Sequence, residues 1–231
     1  MSSRRPDPDK EISLADAYSV ITPNDNKRLY AQWAKTYDTS FVEANRYRYP
    51  RGVAEHFAAV VPGSVGEYFV DVGCGTGIVG SCLASFRPTC RIDGFDISPE
   101  MLAQAHKKLR DDGSPVYSTL YEVDLTQPLK VPTGEYDALV SAGTFTHGHL
   151  GPDAFQNLLP LVRIGGWFVI GINAEHFALH GFGDMLAKEA SRQQITPPEL
   201  HKIQVYEEGS QHFGDQAVIA TFRRVVHDEH L

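Results

Sequence analysis

Apolar residues in this chain gather into short runs that end in a carboxylate or a glycine, and segments of helical period separate them. The most pronounced run is Tyr-Phe-Val-Asp-Val at 68–72, followed by Gly73, Gly75 and Gly77 at alternate positions. Continuous apolar character with β-branched and aromatic residues predicts a strand buried on both faces of a parallel sheet. The glycines predict a turn whose backbone comes close to a ligand. Upstream, Asn24 or Asp25 is the expected cap of a helix with Tyr30, Trp33, Ala34 and Tyr37 on one face. Pro50 is expected to open a second helix over 51–60, ended by Pro62-Gly63.

Downstream, the alternation continues. A helix is expected over 78–86, closed by Arg87-Pro88, and a strand over 91–96 ending in Asp96. Ser98 is a good N-cap, with Pro99 at the first helical position. That helix should carry Met101, Leu102, Ala105 and Leu109 on its apolar side and stop at Asp111-Asp112-Gly113. Further strands are expected within 117–124, over 136–142, and over 167–172 after Gly165-Gly166, with a helix over 152–162. Near the end, 203–207 and 217–225 alternate apolar with polar residues across 209–214, the pattern of an antiparallel hairpin.

This order predicts an α/β fold: a doubly wound, mainly parallel, seven-stranded Rossmann-like sheet. An antiparallel C-terminal hairpin and an N-terminal helical lid complete it. The length of 231 residues suits one domain over 13–231, with a lid segment at 13–62 and a core at 63–231. Residues 1–12 carry charge and proline without an apolar period and read as a disordered tail.

Composition narrows the partners. A net charge of −8 disfavours nucleic acid, which wants a basic face. No apolar run is long enough for a membrane span, and the N-terminus lacks a signal-peptide core. Cys74, Cys82 and Cys90 form no metal or disulfide spacing and fit a reducing cytoplasmic setting. Cys74 reads as a small residue tolerated in the turn rather than a reactive thiol, since no cation is placed to lower its pKa. Monomer and homodimer both remain open, with the hairpin edge a possible contact.

Two fingerprints overlap at the glycines. Gly75-Thr-Gly77-Ile-Val-Gly80 fits the dinucleotide turn, with Asp96 sixteen residues on as the ribose carboxylate. The other register starts one step earlier, at Asp71-x-Gly73-x-Gly75-x-Gly77. A carboxylate just behind the turn opposes a pyrophosphate at the helix N-terminus but suits a ligand bearing ammonium and sulfonium charge. Such a ligand is S-adenosylmethionine.

At this point the chain resembles the class I S-adenosylmethionine-dependent methyltransferases. Residues 70–77 look like their first motif, and Gly94-Phe-Asp-Ile-Ser-Pro-Glu-Met-Leu102 like the second, whose acid takes the ribose hydroxyls. Asp124-Leu125 stands where such enzymes hold the adenine, and residues 139–145 match the fourth-strand motif beside the methionine moiety. Arg163-Ile-Gly-Gly166 departs from the usual Pro-Gly-Gly, with Ile164 in place of the turn-stiffening proline. The resemblance implies cofactor contacts from Asp71, Gly73, Cys74, Gly75, Gly77, Asp96, Ile97, Met101, Asp124, Leu125, Ser141, Ala142 and Tyr37. A narrower likeness, to the methyltransferase-like proteins of the Williams–Beuren-region type, rests on Tyr30-x-x-Trp33-Ala-x-x-Tyr37-Asp38 and Gly143-Thr-Phe-Thr-His147-Gly-His149.

The chemistry so implied is methyl transfer to a small-molecule acceptor by in-line displacement, which needs placement first and a base only for hydroxyl or carbon acids. His147 is the candidate base and His149 the second, set against structural roles for each as a helix cap or a surface residue. No third ligand is evident for a His-x-His metal site, so no metal is expected. Tyr30, Trp33 and Tyr49 from the front segment, with Phe145 and Phe177, are the candidate walls of the acceptor site. Two rival readings are a dinucleotide-dependent oxidoreductase and a cofactor-binding protein without transfer activity.

Overall fold

The computed structural model describes residues 12, 16, 20, 22–64, 66–131, 133–146 and 150–225. The tail expected over 1–12 falls almost wholly outside these residues. So do His147 and His149.

Seven strands form one sheet: β1 (Tyr68–Val72), β2 (Arg91–Asp96), β3 (Thr119–Glu122), β4 (Tyr136–Phe145), β5 (Val162–Asn173), β6 (Glu199–Gln204) and β7 (Gln216–Arg223). Their order is β3-β2-β1-β4-β5-β7-β6. The first five strands are parallel. β7 runs antiparallel between β5 and β6, as the hairpin pattern predicts. The chain moves outward from β1 through β2 to β3, then returns to place β4 on the other side of β1. That reversal opens a crevice at the carboxyl ends of β1 and β4, the place where such sheets take ligands.

Alternation along each strand divides the core. Phe69, Val140 and Val169 face one layer, containing Val53, Phe57 and Leu83. Val70, Leu139 and Phe168 face the other, containing Phe155, Leu158 and Phe222. Trp33 and Phe41 of the front segment belong to the first of these cores, so the helical lid is continuous with the sheet's packing.

The helices are α1 (Pro23–Trp33), α2 (Tyr49–Val60), α3 (Ile78–Phe86), α4 (Pro99–Ala105), α5 (Phe155–Leu158), α6 (Ala174–Leu179) and α7 (Phe182–Ser191). Several differ from expectation for local reasons. The cap of α1 is Thr22, not Asn24 or Asp25. Its hydroxyl accepts from the Asp25 N–H at 3.1 Å, and the Asp25 carboxylate answers by accepting the Thr22 N–H at 3.2 Å. Tyr37 falls beyond this helix, in a π-helical turn over Tyr37–Glu43. α4 ends at Ala105 and leaves Leu109 61% exposed, so Leu109 is not part of the apolar face. The helix expected over 152–162 is broken into a 3-10 turn, one α-helical turn and a second 3-10 turn, because Pro160 falls within it. β5 is longer than expected and takes in Gly165 and Gly166.

Candidate functional site

The turn after β1 is built by its strand neighbours. Gly73 and Cys74 both donate their N–H to the Phe95 carbonyl of β2, at 2.8 and 2.9 Å. Gly73 has a φ of +69°, and a Cβ there would stand 1.8 Å from the Thr144 hydroxyl oxygen, so no other residue fits. Gly77 is closed in the same way, by the Tyr117 ring. Gly75 differs: a Cβ there would meet nothing within 4 Å. Of the three, Gly75 is the one that turns its bare face toward open space.

That space is a cleft walled by the turn, the ends of β2 and β4, the loop after β3 and the front segment. At the end of β2, one Asp96 oxygen accepts the Gly75 N–H at 2.9 Å and the other accepts the Ser98 N–H at 2.8 Å. Burial raises the Asp96 pKa, and the Ser98, Gly75 and Ile97 amides oppose that rise. Ser98 itself caps α4 through the Met101 N–H, so the acid and the helix start are fixed together. After β3, Asp124 folds into an Asx turn, accepting the Thr126 N–H and hydroxyl at 2.9 and 2.6 Å. Asn157 anchors the next residue by donating to the Leu125 carbonyl at 3.0 Å.

The third wall comes from an irregularity in β4. Ser141 pairs with Ile170 and Phe145 with Ile172, so four steps along β4 match two along β5. The bulge turns Ala142, Gly143 and Thr144 into the cleft. The Val72 carbonyl holds it there, accepting the Ser141 and Thr144 hydroxyls at 2.7 and 3.0 Å.

The front segment supplies the roof. Thr22, Asn26 and Tyr30 lie at four-residue intervals on α1 and all reach the cleft, as do Tyr37 and Tyr47. Trp33 stacks against Tyr30 with ring centres 6.0 Å apart and meets Tyr37 and Phe41 edge-on at 5.1 and 5.0 Å.

The placement of the expected residues is therefore uneven. Gly73, Cys74, Gly75, Asp96, Ile97, Met101, Asp124, Leu125, Ala142, Tyr30 and Tyr37 line one cleft. Asp71 does not line it. Asp71 is fully buried behind the turn, accepting the Tyr117 hydroxyl at 2.7 Å. Burial pushes its pKa up to about 7, opposed by that hydroxyl and the Gly80 amide. The cofactor contact expected of Asp71 is corrected accordingly: Asp71 supports the turn from the core side. Gly77 and Ser141 likewise hold the frame. Trp33, Tyr49 and Phe145 are corrected from acceptor walls to core residues, with exposures of 2%, 3% and 1%. Phe177 packs on Phe182 outside the cleft lining. Cys74 is buried, which pushes its thiol up and away from reactivity.

The reading of the chain missed Thr22, Asn26, Thr76, Thr126 and Leu150. For Thr22 and Asn26 a signal existed, since with Tyr30 they form a polar stripe along one helix face. Leu150 is visible only in three dimensions, where its carbonyl lies 2.9 Å from the buried His176 Nε2.

The cleft fits a cationic nucleoside. Among the described lining residues the charged ones are Asp96 and Asp124, both acids, and Gly75 leaves room for close approach. A pyrophosphate would find no cation there.

The chain is also similar to known proteins. Residues 69–166 match the family described as methyltransferase domain. Malonyl-[acyl-carrier protein] O-methyltransferase 1 of Ilyobacter polytropus is 33% identical over 62% of this chain, and the chain spans 50% of that relative's length. Phosphoethanolamine N-methyltransferase 2 of Haemonchus contortus, in complex with phosphomonomethylethanolamine and S-adenosylhomocysteine, superposes with a TM-score of 0.62. That match has 12% identity over 90% of this chain and 61% of the other. An S-adenosylmethionine-dependent methyltransferase from Mesorhizobium loti superposes at 0.53, with 17% identity over 76% of this chain and 100% of the other. Both structural likenesses are likenesses of fold.

Proposed function

We propose that this chain, which carries a class I S-adenosylmethionine-dependent methyltransferase domain, transfers a methyl group to a small-molecule acceptor by in-line displacement. The observation that carries the reading is Asp96, tied to the Gly75 N–H at the edge of a cleft whose described charged wall residues are acids. An acid so placed suits ribose hydroxyls, and the acidic wall suits a positively charged cofactor better than a dinucleotide. S-adenosylmethionine supplies an activated methyl on a sulfonium.

The chain's own residues provide placement. Asp96 holds the ribose hydroxyls, with Ile97 and Met101 packing beside them. The Asp124 turn and the Leu125 backbone hold the adenine. Gly73, Cys74 and Gly75 present backbone to the amino-acid end, with Ala142 and Tyr37 flanking it. Asp71, Gly77 and Ser141 keep the turn in shape from behind. The roof of residues 22–50 excludes water, which strengthens electrostatic contacts inside the cleft. Should the acceptor be a hydroxyl or a carbon acid, His147 and His149 are the candidate bases.

The acidic net charge supports an acceptor other than nucleic acid. Among the described residues, no helix is long and apolar enough to cross a membrane. The three free thiols support a cytoplasmic setting, as a monomer or homodimer.

Calorimetric titration tests the cofactor. We expect S-adenosylhomocysteine to bind and NAD not to bind, and the reverse would sink the reading. Transfer of labelled methyl from S-adenosylmethionine to a panel of amines, hydroxyls, thiols and carbon acids then identifies the acceptor. Binding without transfer to any member would favour a non-catalytic cofactor-binding protein.

A further inference from the structure

One carboxylate joins the front segment to the glycine turn, and the cofactor reading does not use it. Asp38 stands at the start of the π-helical turn, next to Tyr37. Its Oδ1 accepts the Thr76 hydroxyl at 2.6 Å, and its Oδ2 accepts the Lys108 ammonium at 2.7 Å. Thr76 lies between Gly75 and Gly77 and is 2% exposed. Lys108 follows α4 and lies across Gly77, its Cγ standing 3.2 Å from where a Cβ on that glycine would be. Both oxygens of one side chain thus bind groups far away in the sequence, one on the cofactor turn and one beyond the helix that Asp96 and Ser98 start.

The position is selective. Thr76, which Asp38 binds, and Tyr37, its neighbour in the chain, both line the cleft. The Asp38–Thr76 bond therefore couples the roof to the turn at the cleft itself. α1 itself is tied to β3 by the Lys27–Glu122 ion pair. Its side chains are 39% and 50% exposed, so salt and water weaken it. The Thr76 hydroxyl is buried, and breaking its bond leaves a polar group without water.

We propose that Asp38 is a positioning residue that latches the aromatic roof onto the glycine turn and sets how long the cofactor is retained. This inference rests on the cofactor reading above. The buried Thr76 bond carries most of the effect, and the half-exposed Lys108 pair, at 31% and 36%, carries less.

The test uses the full chain and S-adenosylhomocysteine, with affinity from calorimetry and release from stopped-flow displacement. Asp38→Ala and Thr76→Val should each raise Kd about tenfold, chiefly through faster release, and the double variant should be no worse than either single one. Thr76→Ser, which keeps the hydroxyl, should restore the wild-type release rate. Lys108→Met should change it only about twofold. A residue needed for folding alone would lower the denaturation midpoint and leave the release rate of the folded fraction unchanged, so that pattern refutes the latch. Additive effects of Asp38→Ala and Thr76→Val refute it too. Wild-type protein that fails to bind S-adenosylhomocysteine overturns the cofactor reading itself, a result separate from wild-type binding with unaltered variants.

Discussion

The two walls of the cleft are held by different kinds of force. The turn wall is held by hydrogen bonds to backbone groups: the Gly73 and Cys74 N–H on the Phe95 carbonyl, the Gly75 N–H on the Asp96 carboxylate, and the Val72 carbonyl accepting the Ser141 and Thr144 hydroxyls. The roof is side chain against side chain, a chain of rings from Tyr30 through Trp33, Tyr37 and Phe41 to Tyr47 and Tyr206. Directional backbone bonds hold a turn to a narrow geometry. Ring contacts are less directional by comparison, and they tolerate small shifts. A cleft with one rigid wall and one adjustable wall can keep a fixed cofactor pose while admitting ligands from above.

The comparison predicts unequal responses to substitution. The largest concerns the roof's central ring. Trp33→Ala should destabilise the protein by about 3–5 kcal/mol, as large-to-small changes in cores do. Urea unfolding measures it, and a loss below about 1 kcal/mol would show the roof to be separate from the core. Nearly as large is the response of Asp71, whose folded-state pKa is raised to about 7 by burial from the ordinary 3.8. Between these values the folded protein keeps a proton that the unfolded chain has lost. Its contribution is therefore present below about pH 4 and is lost as pH rises through about 7. Asp71→Asn should remove that slope and be more stable than wild type above pH 7, by up to about 4 kcal/mol. Parallel stability–pH curves for the two proteins would contradict a carboxyl whose burial outweighs its hydrogen bonds to Tyr117 and Gly80.

A third prediction separates two glycines of one turn. Gly73→Ala forces a Cβ against Thr144 in a left-handed backbone and should lose about 3 kcal/mol. Gly75→Ala meets nothing, so it should lose only the strain of its +53° φ, about 1 kcal/mol, while weakening S-adenosylhomocysteine binding. Equal stability losses would mean that the two share one environment. The smallest effect is expected at Asn26, on the roof's polar stripe. Asn26→Ala should alter stability by less than about 0.5 kcal/mol, and cofactor affinity a few-fold by calorimetry. Unchanged affinity would remove α1 from the binding surface.

Local chemistry made much of the molecule legible. The bounds of β1, α3 and β2 match expectation because each is framed by turn residues: the glycines after β1, Arg87-Pro88 after α3 and the Ser98-Pro99 cap after β2. The antiparallel hairpin was readable from its alternation, although its first strand lies at Glu199–Gln204 rather than 203–207, and the place of Asp96 on the cleft from its position at a strand end. Reading failed where tertiary neighbours decide. Whether Asp71 faces the ligand or the core depends on strand parity and on Tyr117, a residue in another element. Trp33, Tyr49 and Phe145 have the same composition signature as a binding wall, and only packing reveals them as core.

By itself the sequence determined the order of elements, the parallel sheet and the position of the glycine turn, because strand period, capping and glycine conformation act over a few residues. The tertiary structure alone decided which side chains meet across the cleft. The bulge in β4, the Tyr47–Tyr206 contact that ends the chain of rings and the Asp38 bridge from Tyr37's turn to Thr76 all join residues tens of positions apart. No pattern over a few residues encodes such pairings, since the geometry that makes them exists only after the sheet has brought its ends together.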